Sequence, residues 1–203
     1  MNFNISVVLI SLLFSAMFSG VEIAFISSDK LHLELRGKKG NLTGRILSRF
    51  TKSPSRFIAT TLVGNTVALV IYGIFMAAII EPILQVNLPE ALNHQGFILL
   101  TQTLLATMLV LVTAEFTPKS LFMLNPHRML RFFALPMQLI YWVMQPVVFV
   151  VVTLSKFIIV KVLRLEYSED KPVFGLTDLN NYLHRLKENA AESEVDIDTR
   201  IFN

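Results

Sequence analysis

The sequence predicts an all-α membrane protein, and three observations support this prediction: the composition, the runs without charge, and the placement of the basic residues. Of the 203 residues, 53% are hydrophobic and 16% are charged, whereas soluble domains carry roughly 25% charged residues. The chain contains no cysteine. Disulfides and thiolate metal ligands are therefore excluded, and any bound metal must use oxygen or imidazole donors.

Four runs without Asp, Glu, Lys or Arg follow one another along the chain. A helix needs about 20 apolar residues to cross the roughly 30 Å hydrocarbon core of a bilayer. Each run reaches that length, and the four are residues 1–21, 57–80, 91–114 and 132–155. The first three runs are predicted to be transmembrane helices.

The basic residues predict how these helices are oriented. Eight Lys and Arg residues lie between positions 30 and 56, whereas residues 81–95 contain none. The positive-inside rule therefore places the N-terminus outside, residues 30–56 in the cytoplasm and residues 81–95 outside. A basic cluster could also bind nucleic acid. Beside two membrane spans it is instead predicted to contact anionic lipid headgroups, and no nucleic-acid partner is expected.

The fourth run does not fit a simple crossing. Lys156, Lys161 and Arg164 follow it, and a full crossing would put them outside, against the same rule. Pro136 and Pro146 within the run disfavour a straight helix. We therefore predict a kinked re-entrant or juxtamembrane helical segment that returns to the cytoplasmic side, with a cytoplasmic C-terminus. The alternative is a proline-kinked fourth crossing with the C-terminus outside.

The character of the chain changes near position 170. Residues 1–170 are predicted to form the membrane domain, and residues 171–203 a cytoplasmic linker helix. Thr177 is a candidate N-cap, and Leu179 and Leu183 recur at helical spacing. The end of the chain is acidic and has no closing element, so this helix is expected to lead into a further cytoplasmic domain.

The strongest functional signal is Glu115, at the end of the third run. A carboxylate within a bilayer is costly unless it is paired, neutralised or bound to a cation. Pro118 cannot donate a hydrogen bond four residues back, so the carbonyl of Ala114 is expected to be free beside this carboxylate. A carboxylate next to a free carbonyl suits a hard cation. The alternative places Glu115 at the cytoplasmic interface, hydrated or paired with Lys119.

The first run carries a polar face. Ser15, Ser19 and Glu22 are spaced four and three residues apart, so they stack on one side of a helix. Serines in membrane helices also mediate packing or bond back to carbonyls, and this alternative applies to both serines. Glu22 could instead lie near the headgroups and pair with Lys30 or Arg56.

The second run is interrupted by Gly64, Asn65 and Thr66. An amide within a bilayer needs polar partners, so Asn65 is predicted either to hold helices together or to bind an ion. The sequence contains no recognisable catalytic set, because the four histidines are scattered over predicted loops and the tail. The chain is therefore not expected to be an enzyme.

Three short stretches carry these polar groups in order: FSGVEIAF at residues 18–25, IATTLVGNT at 58–66 and AEFTPK at 114–119. They resemble the small-Ser-Gly-x-Glu, LIGN and GEIxPK signatures of the CorC / cyclin M (CNNM) magnesium transporters, over most of residues 1–170. Ala114 stands where Gly is common in that family, and Phe116 where Ile or Val is common. Neither departure removes a ligand.

The resemblance implies a fold and an activity. It implies three-helix protomers that pair as homodimers in the bacterial inner membrane, with a cytoplasmic CBS pair in the full-length chain. The implied activity is magnesium transport, as export that is exchanged against Na⁺. Glu22 is then a candidate for the coupling-ion site, and Pro118 supports the metal site. The implied Mg²⁺ ligands are Ser15, Ser19, the Gly64 carbonyl, Asn65 and Glu115.

Two other functions stay open on the sequence alone. The domain could be a membrane anchor that senses an ion for a cytoplasmic regulatory module without transporting it. It could also transport another divalent cation, such as cobalt or manganese. The same oxygen donors serve all of these ions, so the sequence does not separate them.

Overall fold

A computed structural model describes residues 2–30, 33–34, 42–89 and 92–164. Within these residues every regular element is helical and no strand occurs, which confirms the predicted all-α membrane class. The chain divides into two compact units, Met1–Ser28 with Pro54–Tyr167 and Asp29–Ser53 with Ser168–Asn203. The linker helix predicted for residues 171–203 lies outside the described residues.

Six α-helices and two π-helical turns make up the described chain. They are α1 (Asn2–Ser27), α2 (Leu42–Lys52), α3 (Pro54–Asn87), α4 (Gln95–Val110), a first π-helical turn (Leu111–Phe116), α5 (Thr117–Leu124), α6 (Pro126–Phe157) and a second π-helical turn (Ile158–Val162). Four continuous helical segments are long and apolar enough to cross a membrane by length and composition: Asn2–Ser27, Pro54–Asn87, Gln95–Leu124 and Pro126–Val162. Each of them overlaps one of the four charge-free runs.

Helices α1 and α3 run antiparallel, and the contacts span most of α1. Near one end, the rings of Phe3 and Phe75 meet edge to face at 6.0 Å. Near the other end, the rings of Phe25 and Phe57 lie 4.5 Å apart. Helix α1 also packs against the first π-helical turn, α5 and α6. It is therefore the central helix of the first unit, while Leu, Ile, Val and Phe on the outer faces of α3, α4 and α6 are exposed.

Two glycines allow this close packing. A Cβ atom on Gly64 of α3 would come within 2.5 Å of the ring of Phe18, and one on Gly20 of α1 within 2.6 Å of the ring of Phe122. Small residues at helix interfaces let backbones approach closely in a bilayer, where packing rather than water exclusion drives association. Gly64 therefore sets the spacing of α1 and α3, and Gly20 that of α1 and α5.

Both ends of α6 lie at the same end of the bundle. At its beginning, Phe133 stacks on Phe122 of α5 with centroids 5.3 Å apart. At its far end, Lys156 lines a cavity together with Arg56, the third residue of α3. Helix α6 continues through both of its prolines. These contacts favour the re-entrant or juxtamembrane arrangement over a full crossing, and the orientation of the bundle in the membrane stays a prediction.

The described helix of the second unit, α2, is amphipathic. Leu47 and Phe50 are buried, whereas Arg45, Arg49 and Lys52 are exposed on the opposite face. A helix with a basic face beside a membrane span suits contact with anionic headgroups.

We expect single cysteines to report the topology directly, because the native chain has none. A cysteine at Asn93 should react with a membrane-impermeant thiol reagent added outside intact cells, since residues 81–95 carry no basic residue and are predicted to be external. Cysteines at Lys39 and Lys161 should stay unlabelled until the membrane is opened. External labelling at Lys161 would contradict the re-entrant prediction and favour four full crossings.

Candidate cation site

Serine hydroxyls in α1 and directly after its end make different hydrogen bonds. Ser11 donates to the Val7 carbonyl at 2.8 Å, and Ser28 to the Ala24 carbonyl at 2.7 Å. A serine in a membrane helix commonly donates in this way to a carbonyl of its own helix. Ser15 instead donates across the helix interface to the Asn65 Oδ1 at 2.7 Å. The Ser19 hydroxyl is fully buried and has no hydrogen-bond partner in the described structure. The two serines singled out from the sequence are therefore not bonded back to their own helix.

Asn65 lies opposite these hydroxyls on α3. Its side chain is partly buried and accepts the hydrogen bond from Ser15. Gly64, the preceding residue, is buried against the ring of Phe18. The structure thus gathers Ser15, Gly64 and Asn65 at the interface of α1 and α3, with Ser19 one helical turn further along α1. All four supply neutral oxygen atoms.

Glu115 lies in the first π-helical turn, Leu111–Phe116. The amide of Thr117 donates to the Val112 carbonyl, five residues back instead of four. Pro118 follows directly, at the beginning of α5, and the wider turn before it accommodates a residue that has no amide hydrogen to donate. The sequence predicted one freed carbonyl at Ala114, whereas the structure shows a wider turn over the whole segment. Such turns occur often at functional sites, and Pro118 is the one local signal of this turn.

The Glu115 carboxylate is partly buried and makes no hydrogen bond or ion pair with the residues that the structure describes. The pairing with Lys119 that the sequence left open is therefore absent there. Lys119 is exposed. Glu22, the candidate coupling-ion residue, is partly buried on α1.

A groove of about 370 Å³ between α3 and α4 opens beside Glu115. Its polar lining includes Tyr72, Gln102, Thr103 and Thr107. Gln102 is 6% exposed, and its Oε1 has no hydrogen-bond partner among the described residues. Sequence reasoning missed Gln102, although an amide inside a charge-free run is the same signal that identified Asn65. The groove places Glu115 in the same lining as the polar side chains of Gln102 and Thr107.

The structure thus brings together only some of the residues of the predicted site. Ser15, Ser19, Gly64 and Asn65 lie at the interface of α1 and α3, whereas Glu115 belongs to a π-helical turn that packs on α1 and faces the groove. No described hydrogen bond joins Glu115 to the serines or to Asn65. Within residues 2–30, 33–34, 42–89 and 92–164, no three His, Cys, Asp or Glu side chains cluster as metal ligands. A cation held here would meet mostly neutral oxygens and one carboxylate.

Four long apolar helical segments that bury polar side chains between them define a polytopic, all-α integral membrane protein. The chain belongs to the cyclin M family, because the family model described as the cyclin M transmembrane N-terminal domain matches residues 5–194. This match confirms the resemblance seen in the three sequence stretches. Membership associates the chain with metal-ion transport across membranes or a related function.

Two bacterial relatives support the same assignment. The chain is 29% identical over 148 residues to the UPF0053 protein MG146 homolog of Mycoplasma pneumoniae, covering 70% of this chain and 32% of the relative. It is 27% identical over 143 residues to the UPF0053 protein sll0260 of Synechocystis, covering 66% of this chain and 31% of the relative. The matched region spans about a third of each relative. The chain is an integral bacterial membrane protein.

Proposed function

We propose that this chain is the transport domain of a magnesium transporter, and that Ser15, Ser19, the Gly64 carbonyl, Asn65 and Glu115 bind the ion. The observation that carries the proposal is the hydrogen bonding of the Ser15 and Ser19 hydroxyls. Ser11 and Ser28 bond back to their own helix, whereas Ser15 turns to Asn65 and Ser19 has no described partner. An unsatisfied buried hydroxyl is costly, and a bound cation would relieve that cost.

The donor set suits Mg²⁺. This ion takes about six oxygen ligands at roughly 2.1 Å and gives up its hydration water reluctantly. One carboxylate, two hydroxyls, an amide oxygen and a carbonyl approach that number. The hydrogen bond from Ser15 to Asn65 brings two of these oxygens within 2.7 Å of each other. A single carboxylate among neutral donors binds the ion less tightly than several carboxylates would, which allows release.

The same proposal includes the direction of transport, the coupling ion and the assembly of the domain. Transport is export, exchanged against Na⁺, with Glu22 at the coupling-ion site. The domain works as a homodimer, and in the full-length protein it precedes a cytoplasmic CBS pair. The relatives extend well beyond the region that this chain matches, which leaves room in them for such a module.

Magnesium flux across sealed vesicles that contain the purified chain tests the proposed function. We expect Mg²⁺ to move only in vesicles with protein, and Mn²⁺ and Co²⁺ to compete weakly. Binding without flux would support an ion-sensing anchor instead. If Mn²⁺ or Co²⁺ inhibits the flux at a lower concentration than Mg²⁺ itself does, the domain would be assigned to another divalent cation.

Ser19→Ala is expected to weaken Mg²⁺ binding several-fold, because it removes one neutral ligand of the proposed site. The change deletes a single oxygen and leaves the helix intact, since alanine is the best helix former. Calorimetric titration of the purified protein measures the change. Ser11→Ala is the matched control, because Ser11 is equally buried on α1 but bonds back to Val7. Equal weakening in both variants would argue against a ligand role for Ser19.

A further inference from the structure

The ring of Phe122 on α5 lies against a glycine of α1. A Cβ atom on Gly20 would come within 2.6 Å of this ring, so only glycine leaves room for it. Phe122 is 9% exposed, and the ring of Phe133 at the beginning of α6 stacks on it with centroids 5.3 Å apart. The ring is therefore held in place by both α1 and α6.

Phe122 is also the only large side chain on the buried face of its segment. Within residues 111–124, all of which the structure describes, the buried residues are Ala114, Pro118 and Phe122. They recur four residues apart, so they share one side of the helix, and this segment packs on α1. Short side chains interlock little with a neighbouring helix. A large ring seated at a glycine instead fixes how far along α1 the segment sits.

The helix that carries Phe122 runs in the same direction as α1. Tyr72 of α3 donates to the Ala106 carbonyl of α4 at 2.9 Å, and the Asn93 side chain donates to the Gln85 carbonyl at 3.4 Å. These contacts advance along α3 while they recede along the chain of α4, so the two helices are antiparallel. Because α1 is also antiparallel to α3, α1 is parallel to the continuous helical segment Gln95–Leu124.

This direction makes the level of Glu115 depend on the contact between Phe122 and Gly20. Glu115 lies seven residues before Phe122, which is about 10 Å along the helix. Ser15 lies five residues before Gly20, which is about 7–8 Å along α1. The contact therefore places Glu115 and Ser15 within about 3 Å of the same level along the bundle. Seven residues are also about two helical turns, so Glu115 and Phe122 lie on similar sides of their segment.

Packing has to hold Glu115 at this level, because no described polar contact does so. Its carboxylate makes no hydrogen bond or ion pair with the residues that the structure describes, whereas Ser15 is bonded to Asn65 across the helix interface. A Mg²⁺ site demands near-octahedral geometry, and the residues of such a site must be held to within about 0.5 Å of it. The buried ring of Phe122 is the contact that can supply this precision.

We propose that Phe122 is a positioning residue for cation binding. Its ring, seated at Gly20 and supported by Phe133, sets the register of α5 against α1 and so places Glu115 beside Ser15 and its partner on α3. This inference rests on the proposed function, because it takes Glu115 to be a ligand of the ion.

Calorimetric titration of the full chain with Mg²⁺ tests this role. We expect Phe122→Leu to weaken binding about fivefold, because the smaller side chain no longer fixes the level of Glu115. Gly20→Ala should weaken binding by a similar factor, since the added Cβ displaces the ring. The combined variant should recover part of the affinity, because leucine makes room for the methyl group. A residue that only stabilises the fold would change the melting temperature and leave the affinity of the folded protein unchanged.

Two variants are matched controls for these changes. Phe149→Leu makes the same replacement at a phenylalanine of α6 that is 65% exposed. Gly73→Ala adds a Cβ that meets nothing within 4 Å. Both controls should bind Mg²⁺ as the wild type does, and weakening in them equal to that in Phe122→Leu and Gly20→Ala would overturn the proposal.

A milder variant covers the case in which Phe122→Leu does not fold. Phe133→Leu keeps the Phe122 ring and removes its stacking partner, and we expect it to weaken binding about twofold. Wild-type affinity in all three of Phe122→Leu, Gly20→Ala and Phe133→Leu, with weakened binding in Glu115→Gln, would overturn the role of Phe122 and leave the magnesium site standing. Losses that simply add in the combined variant would also overturn it. Wild-type affinity in Glu115→Gln would overturn both proposals.

Discussion

Replacing Glu115 by glutamine is expected to weaken Mg²⁺ binding by about tenfold or more and to abolish transport. Glutamine keeps the shape and one oxygen but removes the only charge among the proposed ligands. Two unit charges about 4 Å apart interact by about 4 kcal/mol at an effective dielectric of about 20, and a divalent ion doubles this before desolvation is subtracted. A net loss of only about 1.4 kcal/mol is tenfold in affinity. Calorimetric titration and vesicle flux measure the two effects.

Two variants control for this change. Glu81→Gln removes a carboxylate from an exposed position on α3, where it accepts a hydrogen bond from Gln85, and should leave Mg²⁺ binding unchanged. Lys119→Met tests the alternative in which Glu115 is paired with Lys119. If Lys119→Met weakens binding as much as Glu115→Gln does, the pairing explains Glu115 better than ion binding. Wild-type affinity in Glu115→Gln would show that the proposed site is wrong.

Gly64→Ala is expected to destabilise the domain by about 1–3 kcal/mol, the usual cost of overpacking a well-packed interface. The added Cβ would lie 2.5 Å from the ring of Phe18, which is itself 4% exposed. The ring and α1 must therefore shift, and this shift would move Ser15 away from Asn65. We expect a lower melting temperature in detergent and weaker protection by Mg²⁺ against heating.

The same helix provides the matched control for Gly64→Ala. A Cβ on Gly73 of α3 meets nothing within 4 Å, so Gly73→Ala should be neutral or stabilise by up to about 1 kcal/mol through helix propensity. Adding Phe18→Leu to Gly64→Ala should recover part of the lost stability, because the smaller side chain makes room for the methyl group. A neutral Gly64→Ala, or destabilisation by Gly73→Ala of the same size, would contradict the role of Gly64 as a spacer.

Several features of the site could be predicted from residue chemistry. Glu115, Asn65, Ser15 and Ser19 stand out because a polar group within a charge-free run needs a reason to be there. The sequence left open whether the serines bond back to their own helix, since a hydroxyl can do so at any position. Their orientation depends on what the neighbouring helix offers, and only the structure shows Asn65 opposite Ser15.

Other features depend on contacts that no local pattern encodes. The π-helical turn around Glu115 has Pro118 as its only local signal, yet its extent follows from how the turn packs on α1. Gln102 carries the same sequence signal as Asn65, but only the structure shows that it lines a groove with Glu115. The cavity between Arg56 and Lys156 joins two residues that are 100 positions apart in the chain.

The sequence by itself determined the class of this protein. The hydrocarbon core of a bilayer excludes charge, so a helix that crosses it must be a long run of uncharged residues. The sequence also identified candidates for ion binding, because a carboxylate or an amide within a charge-free run is costly unless it has a polar partner or a bound ion. Only the tertiary structure decided which donors meet. Contacts between helices depend on crossing positions set by spacers such as Gly20 and Gly64, and those positions are a property of the packed bundle.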